Sequence, residues 1–308
     1  MIQLVSVFIL FHAPVPKSVY EGQIAVMLRG IHGTEMIILS PEGKEVRRVP
    51  FIDATGAMYS VKLAHGGEWA LVSKSVQPIQ IFNRRISTSA GYLVKLDGSA
   101  KPKVLFVRKG NLRWVFNRDA TRVYGTEIDE EKSAKNPNLN IIINKAWNLD
   151  LKSGKFESLP LPADYSLIDI TRDDKTVLTG TVVEGKYRTA ISSITTWKPT
   201  FLADAKEYPH SISPDGKHLL LIGSLKNRRV MVLQDLATKE RKTIIPPEEC
   251  YSVTAFSYGA DGTRIAFVGG TDDTGIYDRL YVCNTDGSNR KMIFEIKPGE
   301  SISDIDWR

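Results

Sequence analysis

The chain has 308 residues, 42% hydrophobic and 25% charged, with 41 Lys+Arg against 35 Asp+Glu for a net charge of +6. These globular proportions exclude a disordered chain, a collagen and a polytopic membrane protein. Two cysteines exclude a disulfide scaffold and a four-cysteine zinc site, and a mildly basic balance falls short of a nucleic-acid footprint, which needs the charge clustered on one face or helix.

The apolar run Ile2–Phe11 comes first. It is too short for a bilayer-spanning helix, which needs about 20 residues, but it has the length of a signal-peptide hydrophobic region. The Pro-bearing stretch His12–Ser18 follows as a processing region or linker. No Lys or Arg precedes the run and no small-x-small cleavage site follows it. Two readings of residues 1–18 therefore stay open: a signal peptide, or an N-terminal strand and linker. The first makes the protein periplasmic or secreted; the second makes it cytoplasmic.

Residues 19–308 read as one repeat array. Ser211-Ile-Ser-Pro-Asp215-Gly216-Lys followed by His-Leu-Leu-Leu-Ile-Gly223 is a strand, a tight turn and an apolar strand. The unit recurs at Phe256–Gly269, and in looser form at Ile170–Gly180, Phe116–Gly125 and Ala64–Val72; Glu21–Met27 keeps only the turn and the second strand. Turn positions 21, 66, 119, 173, 215 and 261 are separated by 45, 53, 54, 42 and 46 residues. Each unit is followed by a second hairpin, at Ile38–Val46, Leu93–Ser99, Trp147–Phe156, Ile191–Pro199, Val232–Glu240 and Leu280–Asn289. A period of roughly 40–50 residues with four short strands is the range of propeller blades. Two independent counts of six predict an all-β, six-bladed β-propeller of four-stranded antiparallel blades. The closing stretch Ser301–Trp307 has the pattern of an inner strand without its turn, and the first unit lacks an inner strand. The C-terminal strand is therefore expected to complete the first blade. No helical periodicity competes with this pattern.

The Ser-Pro-Asp-Gly-Lys turn at Ser213–Lys217, the Asp261–Phe267 segment and the Leu-Tyr-Val-x-Asn-x-Asp-Gly-Ser hairpin at Leu280–Ser288 resemble the repeat of the TolB-type β-propellers. The resemblance implies a six-bladed platform for protein or ligand contacts, often exported in bacteria. Blade motifs specify the fold rather than an activity.

Site reading starts with exclusions. The Asp-Gly pairs at 215–216 and 261–262 are what tight turns require, one per blade, and are not read as metal ligands. Five histidines fall in no zinc pattern, and no Gly-x-Ser-x-Gly elbow is present. Cys250 and Cys283 are expected as buried free thiols, two strands apart and beyond disulfide reach. Trp69, Trp114, Trp147, Trp197 and Trp307 recur about once per blade and are expected to pack between sheets.

Three connections between second and third strands are read as long loops on one rim. They are Ser73–Gly91 with Arg84 and Arg85, Glu127–Asn144 with Asp129, and Gly269–Arg279 with Asp272, Asp273 and Tyr277. Insertions in a repeat fold map to one face, often the binding face, so these six residues are the expected binding residues; drift in tolerant loops is the competing reading. The expected function is a non-catalytic interaction platform, monomeric, with a protein partner most favoured. No cofactor, metal, nucleic acid or transmembrane anchor is expected. The alternative is an enzyme of lactonase or sugar lyase type with a cation in the central channel. Its candidate ligands would be Asp164, Asp169, Glu207, His210, Glu249 and Asp304.

Overall fold

A segment that is covered on both faces needs apolar residues at every position rather than at alternate ones. Ile24–Leu28 is such a segment, with five successive buried residues. In the computed structural model Ile24, Val26 and Leu28 pack with Ala266, Val268 and Leu280 of the last repeat, whereas Ala25 and Met27 pack with Val61, Leu63 and Val72 of the next. Each sheet is thus sandwiched between two others. The structure describes residues 22–30, 33–51, 59–64, 67–81, 84–109, 114–117, 119–132, 140–183, 186–205, 207–245, 252–270 and 278–308.

The strands are β1 (Ile24–Gly30), β2 (Gly33–Leu39) and β3 (Glu45–Phe51) in blade 1; β4 (Tyr59–Leu63), β5 (Trp69–Ile81), β6 (Arg84–Lys95) and β7 (Lys103–Lys109) in blade 2; and β8 (Trp114–Phe116), β9 (Arg122–Lys132), β10 (Asn140–Asp150) and β11 (Phe156–Ser158) in blade 3. Blade 4 holds β12 (Ser166–Ile170), β13 (Thr176–Val183), β14 (Lys186–Ser193) and β15 (Pro199–Ala205). Blade 5 holds β16 (Tyr208–Ile212), β17 (His218–Leu225), β18 (Arg228–Asp235) and β19 (Arg241–Ile245). Blade 6 holds β20 (Ser252–Tyr258), β21 (Arg264–Gly270), β22 (Arg279–Asn284) and β23 (Lys291–Glu295), and β24 (Ser301–Trp307) follows. All six sheets have four strands, and the first has the order β24-β1-β2-β3. The ring is closed as the orphan inner strand predicts: β24 pairs antiparallel with β1, Trp307 opposite Ile24 and Ser301 opposite Arg29. The Gly22 N–H donates to the Arg308 carbonyl at 2.8 Å, and the Trp307 indole N–H donates to the Gly22 carbonyl at 2.8 Å.

Six hydrophobic clusters lie between successive blades, including one between blades 6 and 1. Four of the five tryptophans are buried in or against them, as expected, and Trp69 packs partly buried. Cys283 is a buried free thiol on the third strand of blade 6, and burial pushes its pKa up to about 12, so it is inert as a nucleophile. Cys250 lies outside the described residues.

Two loop readings need correction. Ser73–Gly91 and Glu127–Asn144 are not loops: Ser73 pairs with Gly91 and the ladder runs on to Ile81 opposite Arg84, while Asn144 pairs with Ile128 and the ladder runs on to Lys132 opposite Asn140. The charged and amide residues masked strands whose β-branched positions, Val76, Ile79, Ile81 and Ile141–Ile143, carry the ladder. The second turn of blade 4, within Ile191–Pro199, has no Gly or Asp to mark it. Trp197 itself takes the left-handed conformation (φ 54°) and its N–H closes the turn on the Ser193 carbonyl at 2.8 Å, with Pro199 already opposite Ser192 in the ladder.

Candidate functional site: a tight-turn rim, a plugged channel and two projecting hairpins

Antiparallel strands reverse direction at every connection, so turns after first and third strands share one rim, and second-to-third connections share the other. The first rim is built from one repeated device. The carboxylates of Asp119, Asp173, Asp215 and Asp261 accept the N–H two residues on, from Thr121 (3.3 Å), Lys175 (3.1 Å), Lys217 (3.1 Å) and Thr263 (2.9 Å). The intervening residue is left-handed in each: Ala120, Asp174, Gly216 and Gly262. These acids are used by their own turns, in line with their structural reading.

The channel is blocked by charge pairs near that rim. The residue two places before each turn recurs as Lys62, Val115, Asp169, Ser211, Ser257 and Asp306, and most of these reach the neighbouring blade. Asp306 accepts the Leu63 N–H (2.8 Å) and an ion pair from Lys62 Nζ (3.2 Å). Asp169 accepts the Ile212 N–H (3.1 Å) and the Ser211 hydroxyl (2.7 Å), and Ser257 Oγ accepts the Trp307 N–H (3.0 Å). Arg308 bridges Asp169 (3.0 Å) and Asp306 (3.2 Å), linking blade 4 to blade 1 across the ring. Burial pushes both carboxylates up, but Arg308 and Lys62 outweigh it and hold both below the ordinary aspartate range. Asp304, farther from the plug and partly exposed, accepts the Val61 N–H at 3.0 Å; burial raises its carboxyl to about 6.

The five described channel candidates of the enzyme reading do not come together as one site. Asp169 is committed to Arg308, and Glu207 pairs with Arg241 at 2.8 Å. The His210 ring lies against Phe256, Asp164 is exposed, and Glu249 lies outside the described residues. Among the described residues no group of three His, Cys, Asp or Glu could hold a metal ion. Two cavities lie on the tight-turn side. One of ≈ 10 Å³ sits beside Arg308, and one of ≈ 270 Å³ lies between blades 5 and 6, lined in part by Asp215, His218, Tyr258 and Asp261. Both fall below the roughly 300–1,000 Å³ of typical small-molecule sites. Sequence reading missed Lys62, Asp306 and Arg308. Aligning the blades by their turns would have found the recurring position, because Asp, Ser and Lys replace apolar residues there.

The opposite rim is strongly uneven. In blade 2 the last described pairs are Tyr59 with Lys74 on the inner side and Lys109 with Thr88 on the outer, and β5 and β6 pair on to Ile81–Arg84. In blade 3 the last described inner pair is Trp114 with Gly125, the outer chain bonds β10 as far as Asn144, whose N–H donates to the Ala163 carbonyl at 2.6 Å, and β9 and β10 pair on to Lys132–Asn140. Among the described residues the β5–β6 and β9–β10 ladders hold eleven pairs each, against six to eight in the matching ladders of the other blades. Among the described residues, the second strand of blades 1 and 6 runs within one residue of its last inner-strand pair, and that of blades 4 and 5 runs three beyond it.

Both hairpins stand on one aromatic base. Phe106 contacts Trp114 (4.3 Å between centroids), Trp147 (5.0 Å) and Phe156 (5.9 Å) between blades 2 and 3. Gly91 and Gly125 sit opposite Phe106 and Trp147, where an added Cβ would meet the rings at 2.6 and 2.5 Å. Arg108 of β7 stacks over Phe156 (4.2 Å) and lies 3.7 Å from Glu127 of β9. Of the expected binding residues, Arg84 and Arg85 sit at the far end of the blade-2 hairpin, opposite Ile81 and Gln80, and Asp129 sits in the blade-3 hairpin, opposite Ile143. The structure thus brings these three to adjacent blades of one rim. Asp272, Asp273 and Tyr277 lie outside the described residues.

No family model matches the chain, and no curated protein matches it. Among solved structures the chain is similar to TolB from Acinetobacter baumannii, with a TM-score of 0.67 and 17% identity over 94% of this chain and 67% of that one. It is similar to a putative TolB from Agrobacterium tumefaciens, with a TM-score of 0.61 and 12% identity over 92% of each chain. It is also similar to an oligogalacturonate lyase in complex with manganese, with a TM-score of 0.51 and 15% identity over 87% of this chain and 74% of that one. At these identities the likeness shows the fold: a six-bladed propeller of the TolB type.

Proposed function

We propose that this protein is a non-catalytic interaction platform that docks a protein partner on the rim carrying the two long hairpins. The observation that carries the reading is the asymmetry of that rim. A ring built only for stability needs no unequal hairpins, yet among the described residues blades 2 and 3 run their second-to-third ladders to eleven pairs, against six to eight in the others, on a shared aromatic base. Projecting ribbons rich in Val, Ile and charged residues offer extended surface for a macromolecule. The channel offers less to a small substrate, since Lys62 and Arg308 neutralise the carboxylates at its plugged end. The likeness to a manganese-bound lyase keeps the fold compatible with enzymes, but Asp169, Asp304 and Asp306 are spent on blade-to-blade contacts.

Among the described residues no helix is long and apolar enough to cross a membrane. With residues 1–18 acting as a signal peptide, the platform works in the periplasm or outside the cell; N-terminal sequencing of the mature protein decides between that and a cytoplasmic location. The docking reading is tested by placing a photo-crosslinking residue at Arg84 or Asp129 and, separately, at Lys217 on the tight-turn rim. Crosslinks to one partner from the first two positions support the reading. Crosslinks from Lys217 alone would place the working face on the other side.

A further inference from the structure

Around the plugged end of the channel the charged side chains are matched in pairs, and Arg172 stands outside the pairing. The turn acids Asp173, Asp215 and Asp261 face basic side chains of their own turns, Lys175 at 3.5 Å, Lys217 at 3.9 Å and Arg264 at 3.9 Å. In the plug, Lys62 and Arg308 meet Asp169 and Asp306. Arg172 follows β12 of blade 4, and its Nη1 donates to the Ala260 carbonyl in the first turn of blade 6 at 2.7 Å. Among the described residues it makes no ion pair with a carboxylate.

Arg172 and Arg308 line one cavity of ≈ 10 Å³, together with Ser211, Ser257, Tyr258 and Trp307. That is room for about one water-sized particle. Its wall is rich in donors. Arg308 uses Nε on Asp306 and Nη2 on Asp169, leaving Nη1 outside the pairs. The Ser257 hydroxyl accepts the Trp307 N–H at 3.0 Å and donates only weakly, at 3.3 Å to the Tyr258 carbonyl or 3.4 Å to Asp306. Tyr258 is 4% exposed, and its hydroxyl has no hydrogen-bond partner. Burial, with the charges of Asp215 and Asp169, pushes its pKa up, so the hydroxyl keeps its proton and remains a donor. A buried donor without an acceptor is costly. A water placed here brings two protons as well as two lone pairs. An anion brings acceptors only, and it supplies the charge that Arg172 lacks.

We infer that this cavity binds a single monatomic anion, a halide such as chloride, between the guanidinium groups of Arg172 and Arg308, with the Tyr258 hydroxyl as a third donor. The volume selects the class, since a carboxylate or phosphate group is larger than the space. The ion joins blade 4 to the closing strand β24 and holds Arg172 over the plugged end, so ring closure gains a ligand. Binding is weak, in the millimolar range, because the halide gives up hydration for one unmatched cation in a half-buried setting. The site lies on the rim opposite the hairpins and is independent of the docking reading.

The quadrupolar NMR linewidth of dissolved chloride, which broadens when the ion exchanges onto a protein, is the first test. The full chain should broaden the line in a saturable way, and bromide should compete the broadening away. Tyr258→Phe should raise the half-saturating concentration about tenfold, the loss of one donor to a charged ligand. Arg172→Gln should abolish the saturable part, whereas Lys217→Glu, an exposed cation of the same rim, should leave it unchanged. Tyr258→Phe removes an oxygen that bonds no protein group, so it should unfold as the wild type does in halide-free buffer and keeps the test sound if Arg172→Gln fails to fold. Crystals grown in bromide locate the ion: an anomalous peak is expected between Arg172 and Arg308. The inference is overturned by a wild type that gives no saturable broadening, or by broadening that survives in both site variants. Loss of the broadening in Lys217→Glu would show surface attraction in its place, and ordered water without an anomalous peak in the cavity would show that no anion binds there.

Discussion

Asp304 shows how a single side chain can work against the fold that holds it. Its carboxyl is raised to about 6 by burial, above the ordinary 3.8, so the folded state favours the protonated form. The stabilising contribution is fully present below about pH 4 and is lost as pH rises through 6. At 1.36 kcal/mol per unit, and discounted for partial exposure to the channel, the loss is about 2 kcal/mol. Asp304→Asn should therefore be more stable than the wild type at pH 8 by about 1–2 kcal/mol, with the difference closing toward pH 4; urea unfolding at both values measures it. An unchanged difference would show that Asp304 carries no such penalty. Arg308 has the opposite sign. It neutralises Asp169 and Asp306, both almost fully buried, so Arg308→Met should cost about 3–5 kcal/mol. The cost should shrink in acid, where the orphaned carboxylates take up protons. Adding Asp169→Asn should recover part of it; a neutral Arg308→Met would refute the plug.

The hairpins of blades 2 and 3 depend on two glycines at their base. Gly125→Ala pushes a methyl into Trp147 within a packed aromatic group, and overpacking of this kind costs about 1–3 kcal/mol. The loss should appear in the thermal unfolding midpoint, and an unshifted midpoint would mean that the rings move aside freely. This level of organisation is also where sequence reading succeeded and failed. The six first turns were legible because Asp-Gly or its worn forms mark a left-handed residue in a fixed place, and Ala120 and Asp174 show how far the mark can wear while the geometry survives. The hairpins were not legible as strands, since Arg84-Arg85 and Asp129-Glu-Glu131 read as loop chemistry when nothing in one sequence shows that the facing segment can pair. Trp197 was missed as a turn former because a tryptophan with positive φ is held by packing against Tyr124, a contact 73 residues away. The channel pairs escaped for a related reason. Lys62, Asp169, Asp306 and Arg308 come from three blades and meet only once the ring has closed.

Closure governs the molecule as a whole. β24 supplies the inner strand of blade 1 and, through Ile302, Ile305 and Trp307, part of the core between blades 6 and 1. Removing Ser301–Arg308 strips that strand, opens a ladder edge on β1 and deletes the channel plug, so it should abolish cooperative folding, whereas removing residues 1–16 should not. Retained cooperative unfolding in the longer-lived C-terminal truncation would contradict the closure. Function is predicted to sit apart from this scaffold. The most direct test shortens both hairpins to the reach of their neighbours, joining Val76 to Thr88 and Ile128 to Asn144, which are paired positions, through two-residue turns. Binding of the partner captured by crosslinking is then compared with the wild type, alongside Lys217→Glu and Arg264→Glu on the tight-turn rim. The account predicts a ring with unchanged unfolding that no longer binds, and tight-turn variants that bind as before. A shortened ring that still holds its partner, with binding lost instead in the Lys217 and Arg264 variants, would contradict it.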